Sequence, residues 1–560
     1  MNLPESIRIA KEAAAYPLLQ DKLNPYANES LPAGFEPESY SAAPYQGAWE
    51  EAQIIHLIRR TCFGFTLPQF ATSKQMNLDA LVNQLLDTQL AEPSPPLNYY
   101  VRNAAEDPNI PEGQTWVNDT TTPATVAFQR MQSMKSWAVG LQLNEGISIR
   151  EKMTLFWTHH FATEMDAVQD ARFAYKLNSY LRRNFLGNFK QMVKDVTKDP
   201  AMLVYLNGVK NTKAAPDENY ARELFELFTL GKGNYTEDDV LQAAKILTGW
   251  RFNPANLETF FMPILHDISN KTFSSFFNNR TIQGKSGDAG AVETDELVDL
   301  IFENQQVVAN FLSRKLYRFF CYYVITPEAE QSLISQMAST LIASNWEIKP
   351  VMQLLLRSEH FYATHSKACH IKNPFDFIVG FTKLFGVQVS GGEKQLYSAW
   401  NVYNNFTASQ GMNYGDPPSV SGWPAYYQSP QFHQLWINSD TLTKRKQVVE
   451  ALLLPTGLNI AGVNIKLRLL TFVEAIPQSE DPNILVERAC FYTCAYPISE
   501  GKKAELKSIL LGGQIGDFYW SSAWNLYLSD KSNQSNELIV YIRLFSFFQF
   551  LLSLPEYQLS

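Results

Sequence analysis

The stretch DENYARELFELFTLG, residues 217–231, carries the residues best spaced to do chemistry. At about 100° per residue, Asn219, Arg222, Glu223 and Glu226 fall within one arc of roughly 100° on a helix. Tyr220, Ala221, Leu224, Phe225, Leu227 and Phe228 cover the rest of its surface. Two carboxylates in different surroundings can act as acid and base, or can hold a divalent metal. Arg222 is spaced to pair with Glu218 on one side and Glu226 on the other. The same spacing also fits a solvated edge with ordinary ion pairs. Periodicity alone leaves cleft and edge both open.

Two other groups could join this stripe. His266-Asp267 with Lys271 lies in a long irregular segment. A His-Asp pair can ligate a metal, or the Asp can orient the His for proton transfer. A plain structural turn is the alternative. If this segment folds over the 217–231 helix, His, Asp and Lys meet Asn, Arg and Glu in one pocket. The segment REKMTLFWTHHFATE, residues 150–164, offers His159 and His160 beside Trp157 and Phe161. Adjacent helical residues point about 100° apart, so a packed aromatic-face histidine is the competing reading. GWPAYY, residues 422–427, can stack Trp423 on a sugar ring or bury it as a core plug. There is no HExxH, Walker loop, GxSxG or GxGxxG, which disfavours zincins, P-loop enzymes, α/β-hydrolases and dinucleotide enzymes.

The elements that must position these residues are helices. Helical periodicity with start and stop signals runs over 126–143, 146–162, 169–185, 188–197, 217–230 and 236–247. It resumes over 292–303, 305–323, 327–343, 348–357, 439–454, 481–495, 502–512 and 534–554. Thr236 and Asp239 occupy capping-box positions, and Gly231 closes the preceding helix. Residues 251–290, rich in Asn, Gly, Ser and aromatics, read as a long loop with one β-hairpin. Nothing alternates strand with helix, so no parallel sheet is expected. The reading is a mainly α, bundle-like globule with long irregular loops and at most a small β-hairpin. Residues 1–45 read as an extended arm, and 46–560 as one large helical domain with a sub-domain break near 360–400.

Bulk properties narrow the classes further. The chain has 560 residues, 45% of them hydrophobic, and a net charge of −9. No Lys/Arg block provides the basic footprint that nucleic acid needs, so nucleic acid is not an expected partner. A local basic pocket could still take a polyanion. The five cysteines have no zinc-like spacing, and Cys490 and Cys494 read as buried small side chains. The N-terminus has no signal-peptide pattern. The apolar run Leu538–Leu554 is interrupted by Arg543 and Gln549 and reads as a docking helix rather than a membrane span.

HLIRRTCFGF, REKMTLFWTHHFATE, DENYARELFELFTLGKGNYTEDDVLQAAKILTGW, LHDISNKTF, PPSVSGWPAYY and the final LPEYQLS together resemble the domain of unknown function 1800 family, over roughly residues 50–560. The resemblance implies a bacterial, mostly helical protein of extracytoplasmic, periplasmic or secreted location, with the cytoplasm as the alternative. It implies a neighbour of the 1501 family, similar to sulfatases or phosphatases, and hence an anionic or sulfated polymer as ligand. Glu218, Asn219, Arg222, Glu223, Gly249, Trp250, His266, Asp267, Lys271 and His160 match its motif. The family pattern reads His-Asn-His where this chain has Thr158-His159-His160.

Two functions follow as expectations. In the first, a hydrolase uses Glu223, Glu226, His266 and Asp267 as its catalytic groups, with or without a divalent metal. Asn219, Arg222, Lys271, His160, Trp250 and Trp423 then hold an anionic or polyhydroxylated substrate. In the second, a non-catalytic binding or assembly protein contacts a polysaccharide or protein partner, and the polar stripe is structural.

Overall fold

The computed structural model describes residues 40–99 and 106–560. Most of the extended arm expected over 1–45 therefore lies outside the described residues. Helix α1, Glu51–Thr61, buries Ile54, Ile55, Leu57 and Ile58 and carries Arg59 and Arg60 in its last turn. Helix α2 is Ala127–Asn144 and helix α3 is Arg150–His160. Their buried residues lie on all sides, as expected of helices in the middle of a large protein. Helix α4, Ala171–Arg183, packs on both. Its Arg182 donates to Glu151 from Nε and Nη2 at 2.8 and 2.9 Å, deep in the core.

The helix expected over 217–230 is present but not regular. An α segment, Asn219–Glu223 (α5), passes into a π-helical turn, Leu224–Thr229. Helix α6, Glu237–Ile246, starts on the anticipated capping box. Thr236 Oγ1 accepts from Asp239 N at 3.2 Å, and Asp239 Oδ2 accepts from Thr236 N at 2.8 Å. Asp239 also accepts from Ser274 N and Oγ, both at 2.7 Å, so this buried carboxylate ties α6 to the segment beyond it.

That segment holds two small antiparallel ladders rather than one hairpin. Strand β1, Trp250–Phe252, pairs with β2, Thr259–Phe261, in the register Trp250↔Phe261. Strand β3, Lys271–Thr272, pairs with β4, Thr281–Ile282. Gly249 enters β1 at φ +98°, where an added Cβ would lie 3.1 Å from the Met262 carbonyl. Helices α7, Val292–Glu303, and α8, Gln305–Phe320, follow.

Periodicity missed two helices over 374–409. Helix α9 is Pro374–Phe385, and helix α10, Glu393–Ser409, makes the most extensive helix pairing of the fold, with α2. Gly140 of α2 sits flat against the ring of Trp400. A three-stranded sheet, also unexpected, joins β5, Val387–Val389, through β7, Val463–Leu467, to β6, Leu458–Ile460. Helices α11, Ser439–Leu452, and α12, Pro482–Thr493, precede Phe518–Ser529 (α13), which periodicity also missed. The last long helix, α14, is Gln534–Leu551. No described helix is long and apolar enough to cross a membrane. The fold is mainly α with small antiparallel sheets, and a single apolar cluster runs from Ile54 to Tyr557. Ile371 pairs with Leu559, which places Ser560 against α1 and His370.

Candidate functional site

The polar stripe is in place but divided. Asn219 is exposed. Arg222 donates to both oxygens of Glu237, at 2.9 and 2.7 Å, and to Glu218 at 3.1 Å. It does not pair with Glu226. The helix turns π after Glu223, which widens the turn and carries Glu226 away from the i,i+4 line. Glu226 instead accepts from Tyr235 Oη at 2.7 Å and faces Lys232 Nζ at 3.1 Å. Burial, with the Glu226 charge nearby, pushes the Glu223 carboxyl up to about 7.

His266, Asp267 and Lys271 do not join the stripe. Arg222 is tied to Glu237 at the start of α6, whereas His266 sits against Thr248 just past its end. Those points are roughly 15 Å apart along a helix. His266 Nδ1 meets the Thr248 hydroxyl and carbonyl, both at 3.1 Å, and its Nε2 lies 3.2 Å from Glu293 Oε1. Lys271 is fully buried and donates to Glu293 Oε2 at 2.6 Å and to the Asp267 carbonyl. Lys285 N donates to Glu293 Oε1 at 2.5 Å. Burial alone would raise the Glu293 carboxyl. The nearby His266 ring and hydrogen bonds from Lys271 and Lys285 outweigh it and hold the group below its ordinary range. Trp250 donates from Nε1 to Thr294 at 2.9 Å, beside this knot. Glu293, the acid at its centre, escaped sequence reasoning because it lies 22 residues from Lys271 on another element.

The segment around residues 150–164 leads elsewhere. His160 donates from Nε2 to the Phe228 carbonyl at 3.1 Å, and its Nδ1 receives Lys315 Nζ at 3.2 Å. Lys315 also donates to the Leu227 carbonyl at 2.8 Å. Together they satisfy two carbonyls that the π turn leaves open. Lys315 and His159 then line a cavity of about 50 Å³. Among the described residues its wall carries five cationic side chains, Arg59, Arg60, Lys152, Lys315 and Arg318, and one acidic side chain, Asp376. His370, His433, Asn373, Tyr426 and Trp436 complete the polar and aromatic wall.

Three of these cations, Arg59, Arg60 and Lys315, are held by backbone oxygens and histidine nitrogens. Lys152 pairs with Asp376. Arg59 donates to the Phe491 carbonyl at 2.8 Å, and burial pushes it down to about 10. Arg60 donates to the backbone oxygens of Phe319, Phe320, Cys321 and Ser560 and to His370 Nδ1. Burial pushes Lys315 down to about 7. Among the described residues no Asp or Glu side chain pairs with Arg59, Arg60 or Lys315.

The histidines add donors. Arg60 can only donate, so His370 Nδ1 accepts at 2.8 Å and the ring proton sits on Nε2. His433 Nδ1 accepts from Ile371 N at 3.0 Å, which likewise puts its proton on Nε2. Both Nε2 atoms are buried and have no acceptor among the described residues. His159 Nδ1 accepts from Trp423 N at 3.1 Å, so it too carries its proton on Nε2. Burial and Lys315 keep His159 neutral. Gly422, at φ +88°, makes that approach possible, since a Cβ there would fall 2.0 Å from His159 Nδ1. Trp423 is buried and stacks on the His159 ring, as a core plug does. Thr158 bonds back to the Thr154 carbonyl at 2.8 Å and lines a separate small cavity near Tyr414.

Segments remote in sequence thus meet at one cavity: HLIRRTCFGF through Arg59 and Arg60, REKMTLFWTHHFATE through Lys152 and His159, GWPAYY through Tyr426. The model of the family described as protein of unknown function (DUF1800) matches residues 56–559. The chain belongs to this DUF1800 family. No curated protein and no solved structure matches it. The DUF1800 match spans every residue of the cavity wall except Ser560. A helix-period signal for the cavity was present in the sequence. Lys152, Phe156 and His159, spaced i, i+4, i+7, share one face of α3, and all three line it. Arg60 likewise falls three residues after Leu57 on the buried face of α1. Among the described residues, no three His, Cys, Asp or Glu side chains form a group able to hold a metal ion.

Proposed function

We propose that this DUF1800 protein binds an oxyanion, a phosphate or sulfate group, in the cationic cavity. One observation carries the reading. Among the described residues, His370 and His433 present buried Nε2–H donors with no acceptor, in a wall whose Arg59, Arg60 and Lys315 have no Asp or Glu partner. Buried donors and charges without partners are costly, and an anion satisfies both at once. A cavity of about 50 Å³ has room for about four water-sized atoms, close to one phosphoryl or sulfuryl group. The anionic class of ligand expected from the sequence is kept, including a sulfated polymer that offers one such group. The donors proposed for it are new.

Calorimetric titration with inorganic sulfate and phosphate tests the reading. The wild type binds one ion per chain, and His433→Phe and Lys315→Met each weaken binding at least tenfold while the fold, followed by circular dichroism, is retained. No binding by the wild type at millimolar concentration, or equal binding by folded variants, overturns it.

A second reading, hydrolysis of an ester of that anion, is favoured by a second observation. Lys315 near pH 7 and the neutral His159 could both carry protons in the same wall. Turnover of aryl sulfates or phosphates that is lost in Lys315→Met supports it, and no turnover leaves a binding protein.

A further inference from the structure

A larger pocket adjoins the cationic cavity. A second pocket, of about 530 Å³, shares Arg59 and Ser560 with it. Ile55, Phe491, Pro497 and Ile498 give it an apolar wall. Ala52, Tyr496 and Pro497 are exposed, so its mouth opens to solvent. Lys503 pairs with Glu487 at 2.6 Å along the lining and has no charge to spare. Arg59 is the one cation common to both compartments. It gives one donor to the Phe491 carbonyl, in the wall of the outer pocket, and lines the inner cavity as well.

We infer that the outer pocket holds the body of the same ligand, which is therefore an organic phosphate or sulfate monoester with an apolar or aromatic body. This rests on the oxyanion reading above. The two volumes differ in what they can take. The inner cavity fits one tetrahedral anion and little more. The outer pocket falls within the roughly 300–1,000 Å³ of sites for drug-sized molecules, with the mostly apolar lining such sites have. A free inorganic ion would leave that apolar wall to water. A monoester seats its charged end on Arg59, Arg60 and the histidine donors and covers Phe491 and Ile498 with its body.

Titration calorimetry at pH 6.5 compares inorganic phosphate and sulfate with 2-naphthyl phosphate and 2-naphthyl sulfate. The naphthyl esters bind at least tenfold tighter than their inorganic ions, and the phosphate and sulfate arms show which anion is preferred. Ala52→Trp and Ala495→Trp, two substitutions that fill the outer pocket from its mouth and its half-buried wall, remove that preference and leave inorganic binding within twofold. Inorganic ions bound without any ester preference, or a preference that survives both fillings, overturn the outer compartment alone. No binding of any of the four probes overturns this inference and the oxyanion reading together.

Discussion

At the scale of single residues, the titrating groups separate ligand binding from stability. Lys315 is pushed down to about 7 by burial, so it loses its charge across the physiological range. An anion in the cavity needs that charge. Affinity for sulfate, whose own charge is constant, is expected to fall as pH rises from 6 to 8, and the slope should flatten in Lys315→Met. Equal slopes in the two proteins would exclude Lys315 as the titrating group. Glu223 has the opposite character. Its folded-state value, about 7, lies above the ordinary carboxylate value, so it favours folding while neutral. That contribution is complete below about pH 4.5 and is lost as pH rises through 7. Glu223→Gln should therefore stabilise the protein by about 1–2 kcal/mol at pH 8 and leave it unchanged near pH 4, as read from denaturant unfolding at the two pH values. The sequence marked Glu223 and His160 as unusual. It could not mark Lys315 or Glu293, because what makes them unusual is what folds against them.

At the scale of elements, the sequence read best where one element sufficed. The capping box of α6, the Gly231 stop and the long amphipathic helices are local features, and they are where periodicity placed them. It read worst where a distant contact decides. The π turn after Glu223 is closed by Leu230 N on the Phe225 carbonyl at 2.7 Å and supported by His160 and Lys315 from two other helices. No window of 15 residues contains that information. The 251–290 segment has the same dependence. Its two short ladders are held down by Glu293 of α7, which gathers Lys271, His266 and Lys285 N. Glu293→Ala leaves the buried Lys271 with only the more distant Asp267 carboxylate, at 3.8 Å, a loss of up to about 3 kcal/mol. The expected result is a lower midpoint in urea and faster proteolysis within 251–290, while sulfate binding at the distant cavity persists in the folded fraction. Uniform proteolysis along the chain would mean that the knot stabilises the whole fold and not this segment.

At the scale of the whole molecule, the cavity wall is drawn from residues 59 to 560. Helices α1, α3, α8 and α9 each supply part of it, and the Ile371–Leu559 bridge closes it. A net charge of −9 spread over the chain hides this concentration of cations, so composition gave no sign of it. The helical class was legible because it depends on repeated local pattern. The site was legible only as separate motifs, since nothing in a linear sequence says that HLIRR and GWPAYY face each other. One consequence is thermodynamic. The cations can be satisfied by one anion only when all these elements are in place, so the ligand binds the folded state and not the unfolded chain. At a hundredfold excess over its dissociation constant the stabilisation is about 2.7 kcal/mol. Sulfate should raise the melting temperature far more than chloride at equal ionic strength, with a logarithmic dependence on concentration. In His433→Phe the same series should lose the logarithmic rise at low concentration and keep only the smaller rise that sulfate gives proteins generally as an excluded salt. An identical sulfate response in both proteins would place the ion's effect on the surface and not in the cavity.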